Sequence, residues 1–182
     1  MLPCWDCLNT RSETRGAVVL ITFGGLPGTG KTTLARELAR QLGAAYLRID
    51  TIEYAIAPAE DTPVGEAGYL VGYAVAEENL RLGSTVVADS VNPLRITRDA
   101  WRNAAQRAGV TFVEILVVCS DRAQHRHRIE TRKTDIPGHL TWQDVLAREF
   151  EPWDREHVVI DTAGQTVEQS LTALQAAVSG RR

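Results

Sequence analysis

The stretch from Phe23 to Thr33, FGGLPGTGKTT, constrains this 182-residue chain more than any other. Counted from Gly25, it fits G-x-x-x-x-G-K-[ST] at every specified position: Gly25, Gly30, Lys31 and Thr32. The apolar, β-branched run Ala17–Phe23 precedes it and reads as a strand buried on both faces. The run KTTLARELARQLG follows it, with Leu34, Leu38 and Leu42 on one helical face and Gly43 as the C-cap. A glycine-rich turn from strand to helix is the context in which this motif binds phosphate. Glycine lets backbone N–H groups approach the anion closely, and the helix N-terminus favours negative charge. The loop residues Pro27, Gly28, Thr29 and Gly30 and the first helical residues Lys31, Thr32 and Thr33 form the expected nucleotide cradle. In it, Lys31 reaches the β- and γ-phosphates and Thr32 binds Mg²⁺.

Beyond this point, strand-like and helix-like segments alternate. AAYLRI, Thr85–Ala88, Thr111–Val118 and His157–Ile160 are predicted strands. Residues 65 to 82, Arg95–Ala108, Asp121–Arg132, Trp142–Phe150 and Val167–Val178 are predicted helices, several closed by a glycine or opened by a threonine cap. Such alternation implies parallel βαβ units and a sheet covered on both faces, a three-layer α/β/α domain. The domain is expected over residues 16–180, with residues 1–15 as a leader outside the fold.

Composition excludes some classes. A net charge of −3 gives no basic footprint for non-specific nucleic-acid binding. No apolar run approaches the roughly 20 residues that span a bilayer. Three cysteines make no disulfide framework; Cys4 and Cys7 lack a second pair at zinc spacing, and Cys119 sits in an apolar run as a small buried hydrophobe. With no signal peptide visible, the expectation is a cytoplasmic protein.

Ligands of open α/β sheets bind beyond the carboxyl ends of the strands, where this chain places acids. Asp89 follows TVVA, a position suited to holding Mg²⁺ opposite Thr32. Asp50 follows YLRI, where a carboxylate can take the proton of an acceptor hydroxyl; it could instead cap TIEYAI. On the basic helix, Arg128 and Arg132 are four apart and share a face, as a transferring phosphoryl group requires. With the Pro-Gly loop that follows, this region reads as a lid over ATP, about residues 121–141. His125 and His127 are two apart, so they do not form a helical metal pair and are expected as surface or lid residues. DTAGQ (Asp161–Gln165) looks like a GTPase switch motif but lies too far along the chain. It is expected instead to end the last strand and to open the next helix with a Thr166/Gln169 capping box, with Asp161 near the nucleotide base.

These motifs together resemble the small P-loop kinases of the nucleoside-monophosphate-kinase type, especially the predicted-kinase family of AAA-like ATPase domains. Relatives of that family include polynucleotide 5′-kinases, zeta toxins, chloramphenicol phosphotransferase and gluconate kinase. The similarity covers about residues 17 to 178 and rests on GGLPGTGKTTLARELA, RIDTIEYAI, VVADSVNPLR, HRHRIETRKTDIPG and FEPWDREHVVIDTAG. It implies a five-stranded parallel sheet of order 2-3-1-4-5. It implies Asp50 as acceptor base, Arg128 and Arg132 as lid arginines, and Asn92, Arg95 and Arg98 near the acceptor. Many relatives carry Asp-x-x-Arg after the second strand; here the fourth position is Glu53. The acceptor pocket is implied over Thr51–Tyr73, including Tyr54. That segment is apolar with few charges, which points to a neutral or cationic acceptor. The expected function is ATP- and Mg²⁺-dependent phosphoryl transfer to a hydroxyl of a small molecule. A nucleic-acid-end or nucleotide kinase and an ATP-binding regulatory module are the alternatives.

Overall fold

The computed structural model describes residues 17–57, 65–133, 136 and 140–180. The leader expected over residues 1–15, with Cys4 and Cys7, lies outside them, as does part of the lid loop.

The chain runs β1 (Val19–Gly24), α1 (Lys31–Leu42), β2 (Ala45–Arg48), α2 (Ile49–Ile56), α3 (Ala67–Arg81), β3 (Val86–Asp89) and α4 (Arg95–Ala108). It continues with β4 (Thr111–Val118), α5 (Arg122–Thr131), α6 (Trp142–Ala147), β5 (Val158–Asp161) and α7 (Val167–Ser179). All strand pairings are parallel, in the order β2-β3-β1-β4-β5. The central strand β1 is buried at every position, so it reads as an unbroken apolar run rather than an alternating one.

Its side chains nevertheless divide by period two. Val19, Ile21 and Phe23 face the core made by α1 and α7, with Leu34, Leu38, Leu171 and Leu174. Leu20 faces the opposite core, with Ile49, Leu80 and Trp101 from α2, α3 and α4. A third, smaller cluster joins Ile129, Trp142 and Val145 of α5 and α6 to Leu26 of the glycine loop. The lid base is thus packed onto the loop it covers.

Local signals explain most boundaries. Gly43 and Gly109 end α1 and α4 in left-handed C-caps. Thr141 with Asp144, and Thr166 with Gln169, form capping boxes that open α6 and α7. α2 departs from expectation: the chain turns helical directly after Arg48. Asp50 therefore lies in the first turn of α2, and Arg48, not Asp50, is its N-cap residue.

Candidate active site

A cavity of about 850 Å³ opens where β1 and β2 end, with the glycine loop as its floor. Two glycines are held there by sterics. Gly25 has φ +135°, and a Cβ on it would lie 2.2 Å from the Val117 carbonyl oxygen. Gly28 has φ +84°, and a Cβ there would meet Ile129 Cδ1 at 2.6 Å. The Thr29 hydroxyl donates to the Leu26 carbonyl at 2.9 Å, closing the turn. Pro27, Gly28, Gly30, Lys31, Thr32 and Thr33 line the cavity.

Lys31 is buried, and that burial pushes its ammonium pKa down against the opposing pull of Asp89 and then Asp50. A dry, pre-formed cation of this kind is suited to phosphate oxygens.

The residues also fit a divalent cation. Asp89 is 1% exposed and its Oδ2 accepts from Tyr46 Oη at 2.8 Å, while Oδ1 has no hydrogen-bond partner among the described residues. A buried carboxylate oxygen left so is costly unless a cation or its water answers it. Thr32 lines the neighbouring cavity wall. Burial, reinforced by Asp89, pushes the Tyr46 pKa up and keeps that hydroxyl a donor.

Asp50 lines the same cavity and its side chain is 44% exposed. Arg48 lies between the two acids, with its guanidinium 3.5 Å from Asp50 and 4.0 Å from Asp89. Glu53 and Tyr54, on the next turn of α2, also line the wall. Burial and the neighbouring Asp50 raise the Glu53 pKa, with Arg148 pulling it back.

Arg128 and Arg132 line the opposite side. Arg128 donates to Thr162 Oγ1 at 2.7 Å and to its carbonyl at 3.0 Å, and Thr162 Oγ1 donates to the Thr29 carbonyl at 2.8 Å. The lid arginine is thereby fixed to the glycine loop through β5. Beside it, a recess of about 250 Å³ shares Gly30, Thr33 and Arg128 with the main cavity and is walled by the chain from Thr162 to Val167.

Other expected residues are not brought to the cavity. Asn92 is 1% exposed, with φ +48°. Its amide donates to the Phe23 carbonyl at 2.9 Å and accepts from Trp101 Nε1 at 3.1 Å. Arg98 is buried too, donating to the carbonyls of Asn92, Pro93 and Pro152 with its guanidinium over the Trp153 ring. These two residues clamp the β3–α4 turn, which a polar loop sequence does not distinguish from a ligand contact. Arg95 is exposed and pairs with Asp154 and Asp99. Asp161 accepts from the backbone N–H groups of Ser120 and Ala163, shaping the turn after β5.

One expectation is narrowed and another corrected. Of the surface and lid positions open to it, His125 takes the lid one and is buried there: its Nε2 lies 2.8 Å from the Pro27 carbonyl oxygen and its ring meets Trp142 edge-on. No sequence signal separates it from His127, because the surrounding helix reads as basic throughout. The cavity wall is also not weakly charged. Arg36 comes from α1, Arg48 from β2, Lys133 from beyond α5 and Arg148 from the end of α6, joining Lys31, Arg128 and Arg132. Only Asp50 and Glu53 are acidic among the described lining residues. The apolar stretch Thr51–Tyr73 hid this, since the charge arrives from distant segments. Tyr69 and Tyr73 turn inward instead, Tyr73 stacking edge-on against Trp101.

Among the described residues, no group of three or more His, Cys, Asp or Glu could hold a metal ion, and no helix is long and apolar enough to cross a membrane.

Comparison with known proteins places the chain. The model of the AAA domain family, AAA_33, matches residues 20–152. A protein named "Probable adenylyl-sulfate kinase" from Aeropyrum pernix is 29% identical over 180 residues, covering 90% of this chain and 93% of that protein. Kti12 from Chaetomium thermophilum, solved with ADP-AlF3, superposes with a TM-score of 0.67 at 20% identity, covering 90% and 99% of the two chains. A gluconokinase from Sinorhizobium meliloti superposes with a TM-score of 0.63 at 19% identity, covering 88% and 91%. The chain therefore belongs to the AAA domain family, as a P-loop kinase domain.

Proposed function

We propose that this protein transfers the γ-phosphoryl group of ATP to a hydroxyl of a small molecule. One observation carries this: Asp50 faces the same cavity as the buried Lys31 and the lid arginines, so a proton acceptor and a phosphate cradle share one space.

The triphosphate lies along Gly28–Thr33 with Lys31 on its outer phosphates. The adenine has room in the recess between Arg128 and the Thr162–Val167 turn. Thr32 and Asp89 would hold Mg²⁺, which when bound neutralises charge on the β- and γ-phosphates. Asp50 orients the acceptor hydroxyl. As the acceptor oxygen bonds to the γ-phosphorus, the bond to the β–γ bridging oxygen breaks, ADP leaves, and the hydroxyl proton passes to Asp50. Arg128 and Arg132 stabilise the charge on the transferring group from the lid side. Catalysis is positioning and charge stabilisation, with no covalent enzyme intermediate. The relative named for adenylyl sulfate brings a nucleotide alcohol within the acceptor class.

The test is ADP formation from MgATP over a panel of alcohols, sugars, nucleosides, nucleotides and 5′-hydroxyl oligonucleotides. One acceptor class should raise turnover well above the water-only rate, Lys31→Ala should abolish it, and Asp50→Ala should lose it while binding ATP as the wild type does. Transfer at the wild-type rate by the Asp50 variant would remove the base assignment. ATP binding with no stimulation by any class would favour a nucleotide-binding regulatory module.

A further inference from the structure

The charge on the cavity wall is larger than ATP requires. Besides Arg36, which is engaged, six cationic side chains face two acids on the wall and the buried Asp89, a formal excess of three positive charges among the described residues. MgATP answers only part of this, because the metal offsets half the charge of the triphosphate. The cations also divide by place. Lys31, Arg128 and Arg132 belong to the loop and lid that hold the nucleotide. Arg148 follows α6, and the groups that feel its charge are Glu53 on the acceptor wall and Lys31 on the floor.

Arg48 is already engaged between Asp50 and Asp89 and orients those carboxylates. Arg148 has no ion pair with any described residue. It is exposed and adds positive charge where Lys31 already stands. A guanidinium so placed is suited to planar or tetrahedral oxyanions, which it grips by paired hydrogen bonds.

We propose that the acceptor is an anionic alcohol, a small molecule carrying a phosphate, sulfate or carboxylate beside the hydroxyl that is phosphorylated, and that Arg148 recognises that anionic group. This rests on the phosphotransferase function proposed above and names its substrate class. Asp50 takes the hydroxyl proton and Arg148 fixes the other end of the acceptor, so the hydroxyl is aimed at the γ-phosphate. The cavity, at about 850 Å³, is near the upper end for a single small-molecule ligand and has room for both substrates.

Two experiments on the full chain test this separately from the kinase function. In the first, protein saturated with a non-hydrolysable MgATP analogue is titrated calorimetrically with inorganic phosphate and with sulfate. Saturable binding is expected in the wild type, weakened at least about tenfold in Arg148→Glu, the scale of one lost charge-assisted hydrogen bond, and partly kept in Arg148→Lys. Absence of anion binding, or equal binding by Arg148→Glu, overturns the proposal whether or not the protein proves to be a kinase. In the second, ADP release is compared across matched acceptors: nucleoside against nucleoside 5′-phosphate or adenylyl sulfate, glucose against gluconate, glycerol against glycerol phosphate. The anionic member of a pair should be the better substrate, and Arg148→Glu should raise its KM at least about tenfold while KM for ATP moves less than about threefold. Preference for the neutral member overturns the proposal and leaves the kinase function standing. Anion binding lost in Arg148→Glu, without turnover on any alcohol, keeps the site and removes the kinase function. Preference for an oligonucleotide over a mononucleotide, weakening steeply with salt, moves the acceptor to nucleic acid and overturns the small-molecule class.

Discussion

The floor and the acceptor wall of the cavity are built on opposite principles. The floor is one continuous stretch, Gly25 to Thr33, whose conformation is over-determined by contacts beneath it: Val117 under Gly25, Ile129 against Gly28, and Thr162 on the Thr29 carbonyl. The wall is assembled from α2, the end of β2 and the end of α6, and Asp50, the proposed proton acceptor, is 44% exposed. A buried, motif-borne floor ties function to folding. An exposed, composite wall can change its chemistry without touching the fold, as P-loop kinases with different acceptors require.

The largest expected effect tests the floor. Lys31→Met should lower turnover by at least about 1,000-fold, since a pre-organised charge at the transferring phosphate is lost. Burial holds the Lys31 pKa down, so its ammonium sits there at a cost to folding, and the variant should melt no lower than the wild type. A marked fall in Tm would show that the floor depends on Lys31 for its shape. Asp50→Asn should cost about 100-fold in kcat, with ATP affinity and Tm unchanged. A parallel loss of ATP binding would erase the distinction between floor and wall.

His125→Ala sharpens the comparison. It removes the partner of the Pro27 carbonyl and should cost about 1–3 kcal/mol of stability, visible in urea unfolding, together with a several-fold rise in KM for ATP. Unchanged ATP affinity with lowered stability would confine His125 to packing. Arg95→Ala should do least. Its exposed pairs with Asp154 and Asp99 are worth about 0–1 kcal/mol, and its kinetics should match the wild type. A raised acceptor KM in that variant would return Arg95 to the acceptor side.

The contrast also explains what the sequence disclosed. Strand runs, caps and the phosphate loop are local, and their spacing carries the information; the order β2-β3-β1-β4-β5 came through family resemblance. Asp89 announced itself by closing an apolar strand. α2 was legible only as the alternative in which Asp50 caps TIEYAI, and its true start was hidden because it begins without a side-chain cap directly at the end of β2. The buried hydrogen bonds of Asn92, Arg98 and His125 were not legible for one reason: a polar residue in a loop or on a basic helix has the same local signature whether it meets a ligand or a buried carbonyl. The wall cations were missed because Arg36, Arg48 and Arg148 come together only in three dimensions.

The lid base gives the molecule a built-in optical gauge. Trp142 lies edge-on to His125, with ring centroids 5.1 Å apart, and His125 grips the carbonyl of Pro27 in the phosphate loop. Nucleotide arriving on that loop is expected to shift a chain of contacts that ends at an indole. A change in its emission should then report occupancy in the unlabelled protein, and Trp142→Phe should remove that change.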